Sequence, residues 1–70
     1  MKYREIAGRL RDLGCIELAA GKGSHRKWHN PKNGKITVVP DWGGKDLATG
    51  TVRAVIRELG ISRDRFGPIK

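Results

Sequence analysis

Two segments with apolar residues at helical spacing lie near the ends of this 70-residue chain and enclose a middle part with the short apolar, alternating and β-branched segments typical of β-strands. Apolar residues recur at intervals of three and four, the period of an amphipathic helix. In the first segment they are Tyr3, Ile6, Leu10 and Leu13. In the second they are Val52, Val55, Ile56 and Leu59. We therefore predict helices at about residues 2–13 and 48–59.

Three short strands are predicted between these helices, at about residues 15–20, 24–29 and 35–40. The second strand alternates, so that one face carries Ser24, Arg26 and Trp28. Its other face carries His25, Lys27 and His29. Asn33-Gly34 favours a hairpin into the third strand. A short C-terminal turn is expected at about 62–66, where Ser62 can act as a cap.

The order helix-strand-strand-strand-helix predicts a single α+β domain over residues 1–70. Both helices would cover one face of a three-stranded antiparallel sheet and leave the other face to solvent. This two-layer sandwich has the topology of the double-stranded-RNA-binding domain, which by itself says little about function. Cys15 is the single cysteine, so an internal disulfide is excluded and a reducing, cytoplasmic location is expected. The apolar runs are too short for an export signal or a membrane span, so no membrane attachment is expected.

The charge balance points to an anionic partner. Lys and Arg number 15 against 7 Asp and Glu, which gives a formal net charge of +8. Nucleic acid is the commonest polyanion bound by such a chain, and an acidic membrane or an acidic protein is the alternative. A domain of this length cannot enclose a large cofactor, so no cofactor is expected.

The segment around His25 concentrates glycines, cations and an aromatic residue. Glycine lets a backbone approach a ligand closely, and cations neutralise phosphates. The RNA-binding candidates in and after this segment are Lys22, Gly23, Ser24, Arg26, Lys27, Lys32 and Lys35. A solvated basic hairpin is the plainer interpretation of the same residues.

His25 can act as an acid or a base near neutral pH, and RNA cleavage suits such a group. A base that removes the proton of a ribose 2′-hydroxyl makes that oxygen attack the adjacent phosphate, with no need for a metal. The plainer alternative is a surface histidine with a structural role. His29 lies four residues further along the strand, about 13 Å away, so the two imidazoles are not expected to share a metal.

The tryptophans, the cysteine and the two arginines of the second helix are interpreted mostly as structural residues. Trp28 is expected in the core, and Cys15 as a small buried hydrophobe. Trp42 is either an exposed binding aromatic or a side chain folded over the second helix. Arg53 and Arg57 are expected on a solvated face.

Four motifs in this order resemble the HicA toxin family over nearly the whole chain. They are Gly23-Ser24-His25-Arg26-Lys27-Trp28, Val38-Val39-Pro40, the helix start from Gly50 to Ile56, and Leu59-Gly60-Ile61. The resemblance implies a double-stranded-RNA-binding-like fold, translation-independent cleavage of messenger RNA, and the toxin role in a toxin-antitoxin pair. It also implies that His25 is the catalytic residue and that the partner is a HicB-type antitoxin that binds over the active face.

One position departs from the family pattern. Many members have a second histidine two residues after the strand-end proline, and this chain has Trp42 there. If that histidine serves as a general acid, this chain either uses another proton donor, such as Lys27, His29 or water, or cleaves RNA more slowly. His29 and Trp42 are therefore auxiliary candidates.

The leading hypothesis is a metal-independent endoribonuclease of the cytoplasm, monomeric when free, with His25 as general base or acid. The alternative is a non-catalytic RNA-binding module that uses the same basic hairpin. A third interpretation, a basic protein that only pairs with an acidic partner, explains the charge but not the placement of Gly23 and His25.

Overall fold

The computed structural model describes residues 1–18 and 23–69, and these form one helix, three strands and two further helices. The elements are α1 (Tyr3–Asp12), β1 (Ile16–Leu18), β2 (His25–Asn30), β3 (Lys35–Pro40), α2 (Thr49–Glu58) and α3 (Arg63–Phe66). The predicted order and the α+β class are confirmed. The predicted first strand extended to residue 20, and residues 19 and 20 lie outside the described part of the chain.

The three strands form an antiparallel sheet in the order β1-β2-β3. In the β2–β3 pair, His25 lies opposite Pro40 and Lys27 opposite Val38. In the β1–β2 pair, Ile16 lies opposite His29. The predicted hairpin is present, and its loop has four residues rather than the two that Asn33-Gly34 alone would form.

The core lies between one face of this sheet and the apolar stripes of the helices. Trp28 is fully buried at its centre, with an exposed fraction of 0%. Its indole Nε1–H donates a hydrogen bond to the Tyr3 hydroxyl at 3.1 Å, so the buried polar atom is satisfied by α1. Cys15 is also buried. The predicted positions of both residues are confirmed.

The end of α2 is joined to the β2–β3 hairpin. Gly60 has φ +69°, the left-handed conformation that ends many helices, and the Ile61 N–H donates to the Ile56 carbonyl at 2.8 Å. The side-chain amides of Asn30 and Asn33 both donate to the Leu59 carbonyl, at 2.8 and 3.0 Å. Carbonyls at a helix end lack intrahelical donors, so these bonds hold the hairpin against α2.

Helices cover only one face of the sheet, as predicted. Along β2 the helix-facing side chains Trp28 and Asn30 are buried, whereas His25 and Lys27 on the other face are exposed. No helix within 1–18 and 23–69 is long and apolar enough to cross a membrane.

Candidate active site

The uncovered side of the sheet collects side chains from all three strands because alternate residues point the same way. We call this surface the open face. From the register it comprises Ile16, Leu18, His25, Lys27, His29, Ile36, Val38 and Pro40. A row of two histidines and a lysine along β2 is thus flanked by apolar side chains of β1 and β3.

His25 is exposed at the first position of β2. The residue before it, Ser24, accepts a hydrogen bond at its carbonyl from the Asp41 N–H, which joins this strand end to the loop after β3. Within the described residues, no protein group forms a hydrogen bond or ion pair with the His25 imidazole. Both ring nitrogens are therefore open to a ligand.

Lys27 lies on the open face two residues along the strand from His25, a separation of about 7 Å between Cα atoms. Its side chain is exposed, and in the described part of the chain no carboxylate lies within ion-pair distance of its ammonium group. A lysine side chain is long enough to span this gap. The ammonium group and the imidazole can therefore contact one phosphodiester together.

His29 is half-buried near the other end of β2, opposite Ile16 and Ile36. Strand geometry separates it from His25 by about 13 Å. One phosphodiester cannot contact both imidazoles at that distance. Among the described residues, no group of three His, Cys, Asp or Glu side chains is placed to hold a metal ion.

Arg26 points to the helix side of the sheet, away from His25. Its guanidinium lies 3.6 Å from Glu17 Oε2 on β1. Its Nε lies 3.4 Å from Asp41 Oδ2, an ion pair without hydrogen-bond geometry. The sequence-based hypothesis placed Arg26 among the phosphate contacts, whereas the structure shows it paired with two carboxylates. Its position joins β1 and β2 to the loop after β3.

Glu17 is the centre of this network on the helix side. Its carboxylate also pairs with Arg11 at 3.3 Å and accepts a hydrogen bond from the Tyr3 hydroxyl at 3.4 Å. Burial raises the pKa of Tyr3 above its ordinary value, and the nearby Glu17 carboxylate adds to this effect. Tyr3 therefore stays protonated at neutral pH and keeps donating to Glu17.

The other RNA-binding candidates divide into two groups. Gly23 and Ser24 are exposed directly before His25. Lys32 lies in the hairpin loop and Lys35 begins β3, so both are near the opposite end of β2, about 17 Å from His25. Lys22 lies outside the described residues.

Trp42 is exposed rather than folded over α2. Its exposed fraction is 49%, and it takes no part in the core cluster. It lines an open groove of about 480 Å³ together with Ser24, Asp41 and Lys45. One residue that lines this groove, Ser24, directly precedes His25 in the sequence.

Sequence reasoning missed Lys45, the pairing of Arg26 with Glu17 and Asp41, and the apolar side chains of the open face. Period-two alternation was enough to place His25 with Lys27. The cross-strand register was not readable, because it depends on how the hairpin loop closes. Lys45 was treated as part of a loop, and nothing in the local pattern indicated that this loop returns to Ser24.

Comparisons with known proteins agree on one family. The family model described as "HicA toxin of bacterial toxin-antitoxin" matches residues 3–61. A curated relative, "Probable mRNA interferase HicA" from Pseudomonas fluorescens (strain Pf0-1), is 41% identical over 61 residues, which cover 87% of this chain and 97% of the relative. No solved structure gives a significant match, so the likeness to a double-stranded-RNA-binding domain stays a prediction.

Proposed function

Since this chain belongs to the HicA toxin family, we propose that it is the toxin of a bacterial toxin-antitoxin pair and that it cleaves messenger RNA as an endoribonuclease. The observation that carries this proposal is the exposed His25 at the start of β2, with the cationic Lys27 on the same face. The name of the Pseudomonas relative supports the activity and the substrate.

In the proposed reaction the His25 imidazole removes the proton from a ribose 2′-hydroxyl. The 2′-oxygen attacks the adjacent phosphorus, the bond to the 5′-oxygen breaks, and the leaving oxygen takes up a proton. The products are a 2′,3′-cyclic phosphate and a 5′-hydroxyl end, with no oxidant or metal required. Lys27 stabilises the charge that develops on the phosphoryl oxygens.

The proton for the leaving oxygen comes from Lys27 or from water in this proposal. His29 is the third candidate, and its distance of about 13 Å along the strand places it too far from a phosphodiester held by His25. The alternative assigns His25 as the acid that protonates the leaving 5′-oxygen, with water as the base, and it requires the RNA to lie with the leaving oxygen rather than the 2′-hydroxyl beside the imidazole.

The RNA is proposed to run along the open face. Gly23 and Ser24 allow its backbone to approach His25 closely. Lys22, which precedes them in the sequence, stays a proposed phosphate contact. Lys32 and Lys35 would contact phosphates farther along the strand. Arg26 is assigned a different role, that of positioning the loop of Asp41 from behind the sheet.

A HicB-type antitoxin is proposed to cover the open face and so block access to His25. The exposed apolar side chains support this partner, since Ile16, Ile36 and Val38 have exposed fractions of 51%, 53% and 45%. Apolar groups clustered around cations suit a protein surface with both acidic and apolar residues. The free toxin is proposed to be monomeric and cytoplasmic.

The test compares the wild-type protein with His25→Ala and His29→Ala variants on a long messenger RNA in the presence of EDTA. His29→Ala is the matched control, because it removes an imidazole from the same strand and face. We expect cleavage by the wild type and by His29→Ala, and a loss of at least a hundredfold for His25→Ala. The fragments should end in a 2′,3′-cyclic phosphate.

Two results would contradict the proposal. Equal cleavage by the His25→Ala protein would remove the histidine from the mechanism. Intact RNA that is nevertheless retarded on a gel by all three proteins would favour the non-catalytic RNA-binding module.

A further inference from the structure

The groove beside His25 contains the only tryptophan that the core does not use. The chain has two tryptophans, and Trp28 is fully buried. Trp42 exposes about half of its side chain into the groove that it shares with Ser24, Asp41 and Lys45. A large apolar ring exposed beside a reactive side chain is a feature of ligand-binding surfaces.

The backbone of the loop that carries Trp42 forms hydrogen bonds both before and after the tryptophan in the chain. The Asp41 N–H donates to the Ser24 carbonyl, and the Gly43 N–H donates to Asp41 Oδ1 at 3.0 Å. The Lys45 N–H donates to the Trp42 carbonyl at 3.2 Å. These bonds restrain the loop backbone in the absence of a ligand, which reduces the backbone entropy lost on binding.

The charges around the groove favour a nucleotide. Lys45 has no carboxylate partner in the described residues, so its ammonium is available to a phosphate. The one acid in the groove, Asp41, is paired with Arg26 at 3.4 Å, which reduces its repulsion of an RNA strand. The Ser24 hydroxyl can donate to or accept from a base edge.

The groove also lies at the right place relative to the proposed chemistry. Ser24 directly precedes His25, and Pro40, the cross-strand partner of His25, is two residues before Trp42. The Ser24 side chain and the Asp41–Arg26 pair lie on the helix side, so the groove lies at the end of β2 where that side meets the open face. An RNA strand that passes over His25 and bends around this end of the sheet would place the base of a neighbouring nucleotide on the indole.

We propose that Trp42, Ser24 and Lys45 form a subsite that takes one unstacked RNA base next to the scissile phosphate. This inference rests on the proposed RNA-cleaving function and adds a residue that determines where the RNA is cut. Trp42 supplies the stacking surface, Lys45 a phosphate contact, and Ser24 a hydrogen bond. The subsite acts in binding, so its loss raises KM and broadens the cleavage pattern more than it lowers kcat.

The first experiment measures binding without cleavage. The probe is a short, fluorescently labelled single-stranded RNA with 2′-O-methyl riboses, which lack the attacking hydroxyl. The anisotropy of the label is followed as wild-type, Trp42→Phe or Trp42→Leu protein is added. Trp42→Leu keeps an apolar side chain without a ring and so tests stacking, whereas Trp42→Phe keeps an aromatic ring and is the matched control. We expect Trp42→Leu to bind roughly five- to hundredfold more weakly, and Trp42→Phe to keep most of the affinity.

The second experiment identifies the base. The same oligonucleotide is synthesised with one abasic position, moved along the strand in successive probes. Quenching of the wild-type tryptophan fluorescence should disappear for one position only, and the Trp42→Phe protein, which retains Trp28, should show no quenching with any probe. Because Trp42 lies outside the core, circular dichroism spectra of the variants should match that of the wild type.

The outcomes separate this inference from the proposed function. If wild-type and Trp42→Leu proteins cleave with equal KM and the same pattern, the subsite is refuted while the endoribonuclease stands. If RNA stays intact but the base-dependent quenching appears, the subsite stands and the catalytic proposal fails. If Trp42→Leu weakens binding of the antitoxin and leaves RNA binding unchanged, the groove belongs to the protein partner and the subsite is refuted.

Discussion

Tyr3 joins the core to the polar network behind the sheet. Its hydroxyl accepts from the buried Trp28 indole and donates to Glu17. One atom thus satisfies a buried donor and connects to a carboxylate that also holds Arg26. The loop that carries Trp42 therefore depends, through Arg26 and Asp41, on a tyrosine of the first helix.

Tyr3→Phe should lower the free energy of unfolding by about 1–3 kcal/mol, because it leaves the Trp28 N–H buried without a partner. Urea unfolding of the variant measures this value. A Trp28→Phe, Tyr3→Phe double variant serves as the control, since the loss attributable to the hydrogen bond should be absent when the indole is already gone. A loss below about 0.5 kcal/mol in the single variant would show that the hydrogen bond contributes little.

Cys15 has a thiol whose pKa is raised above its ordinary value of 9.0 by burial, and Lys32 opposes this only in part. The raised value means that the unfolded chain loses this proton at lower pH than the folded chain does. The contribution of Cys15 to stability is therefore full below pH 9 and is lost as the pH rises above it.

We expect the free energy of unfolding to fall more steeply with pH for the wild type than for Cys15→Ala above about pH 9, and the two proteins to run parallel below it. Denaturant titrations at several pH values give the slope of the unfolding free energy against pH for each protein. The cavity that alanine leaves lowers this free energy at every pH and does not change the slope. Curves that stay parallel above about pH 9 as well would contradict the prediction. The native thiol should also react with iodoacetamide only on the timescale of unfolding.

At the scale of elements, the junction of α2 with the β2–β3 hairpin sets the orientation of the sheet. At Gly60 the helix end and the hairpin approach each other closely, since a Cβ built there would lie 2.5 Å from Asn33 Nδ2. The left-handed φ of +69° favours glycine, and an added Cβ would displace the Asn33 amide from its hydrogen bond to the Leu59 carbonyl. Leu59 receives two amide donors from the hairpin at the same place.

Gly60→Ala should destabilise the fold by about 1–3 kcal/mol, because the new methyl group is strained and displaces the Asn33 amide. Gly8→Ala is the matched control: Gly8 lies inside α1 with no atom within 4 Å of an added Cβ, so alanine there should stabilise by about 0.5–1 kcal/mol. Thermal unfolding of both variants provides the comparison. Equal effects of the two substitutions would refute the importance of this junction.

At the scale of the whole molecule, the positive charge is divided between paired and free cations. Arg11 and Arg26 are paired with carboxylates, and Arg9 donates to the carbonyls of Phe66 and Pro68. Lys27 is free on the open face within the described residues, and Arg65 is exposed on α3. Net charge alone therefore overstates how many cations can reach RNA.

Lys27→Gln should reduce the slope of the logarithm of RNA affinity against the logarithm of salt concentration by about 0.7, the value for one lost phosphate contact to a single strand. The non-cleavable 2′-O-methyl RNA allows this measurement without degradation. Arg65→Gln removes the same charge from the helix layer and should leave the slope unchanged. An equal reduction of the salt slope for both variants would mean that RNA affinity depends only on the total charge and that the RNA does not bind at the open face.

The order of elements and the side of β2 that carries His25 followed from the sequence, because helical and strand periods are local properties of neighbouring residues. Trp28 in the core and Cys15 among apolar neighbours followed for the same reason. The end of α2 near residue 59 was also predicted, since the apolar stripe ends there and a glycine follows it. These predictions needed no knowledge of which segments meet.

Cross-strand register, ion pairing and the course of the loop after β3 were decided by the tertiary structure alone. They depend on residues far apart in the chain, such as Arg26 with Glu17 and Asp41, or Trp42 with Ser24. The sequence by itself determined the fold class, the family and the exposed histidine. Alternation along β2 already put Arg26 and Lys27 on opposite faces, but only the packing of the sheet brought Glu17 and Asp41 to Arg26 and left Lys27 without a carboxylate partner among the described residues, because those two acids come from other segments of the chain.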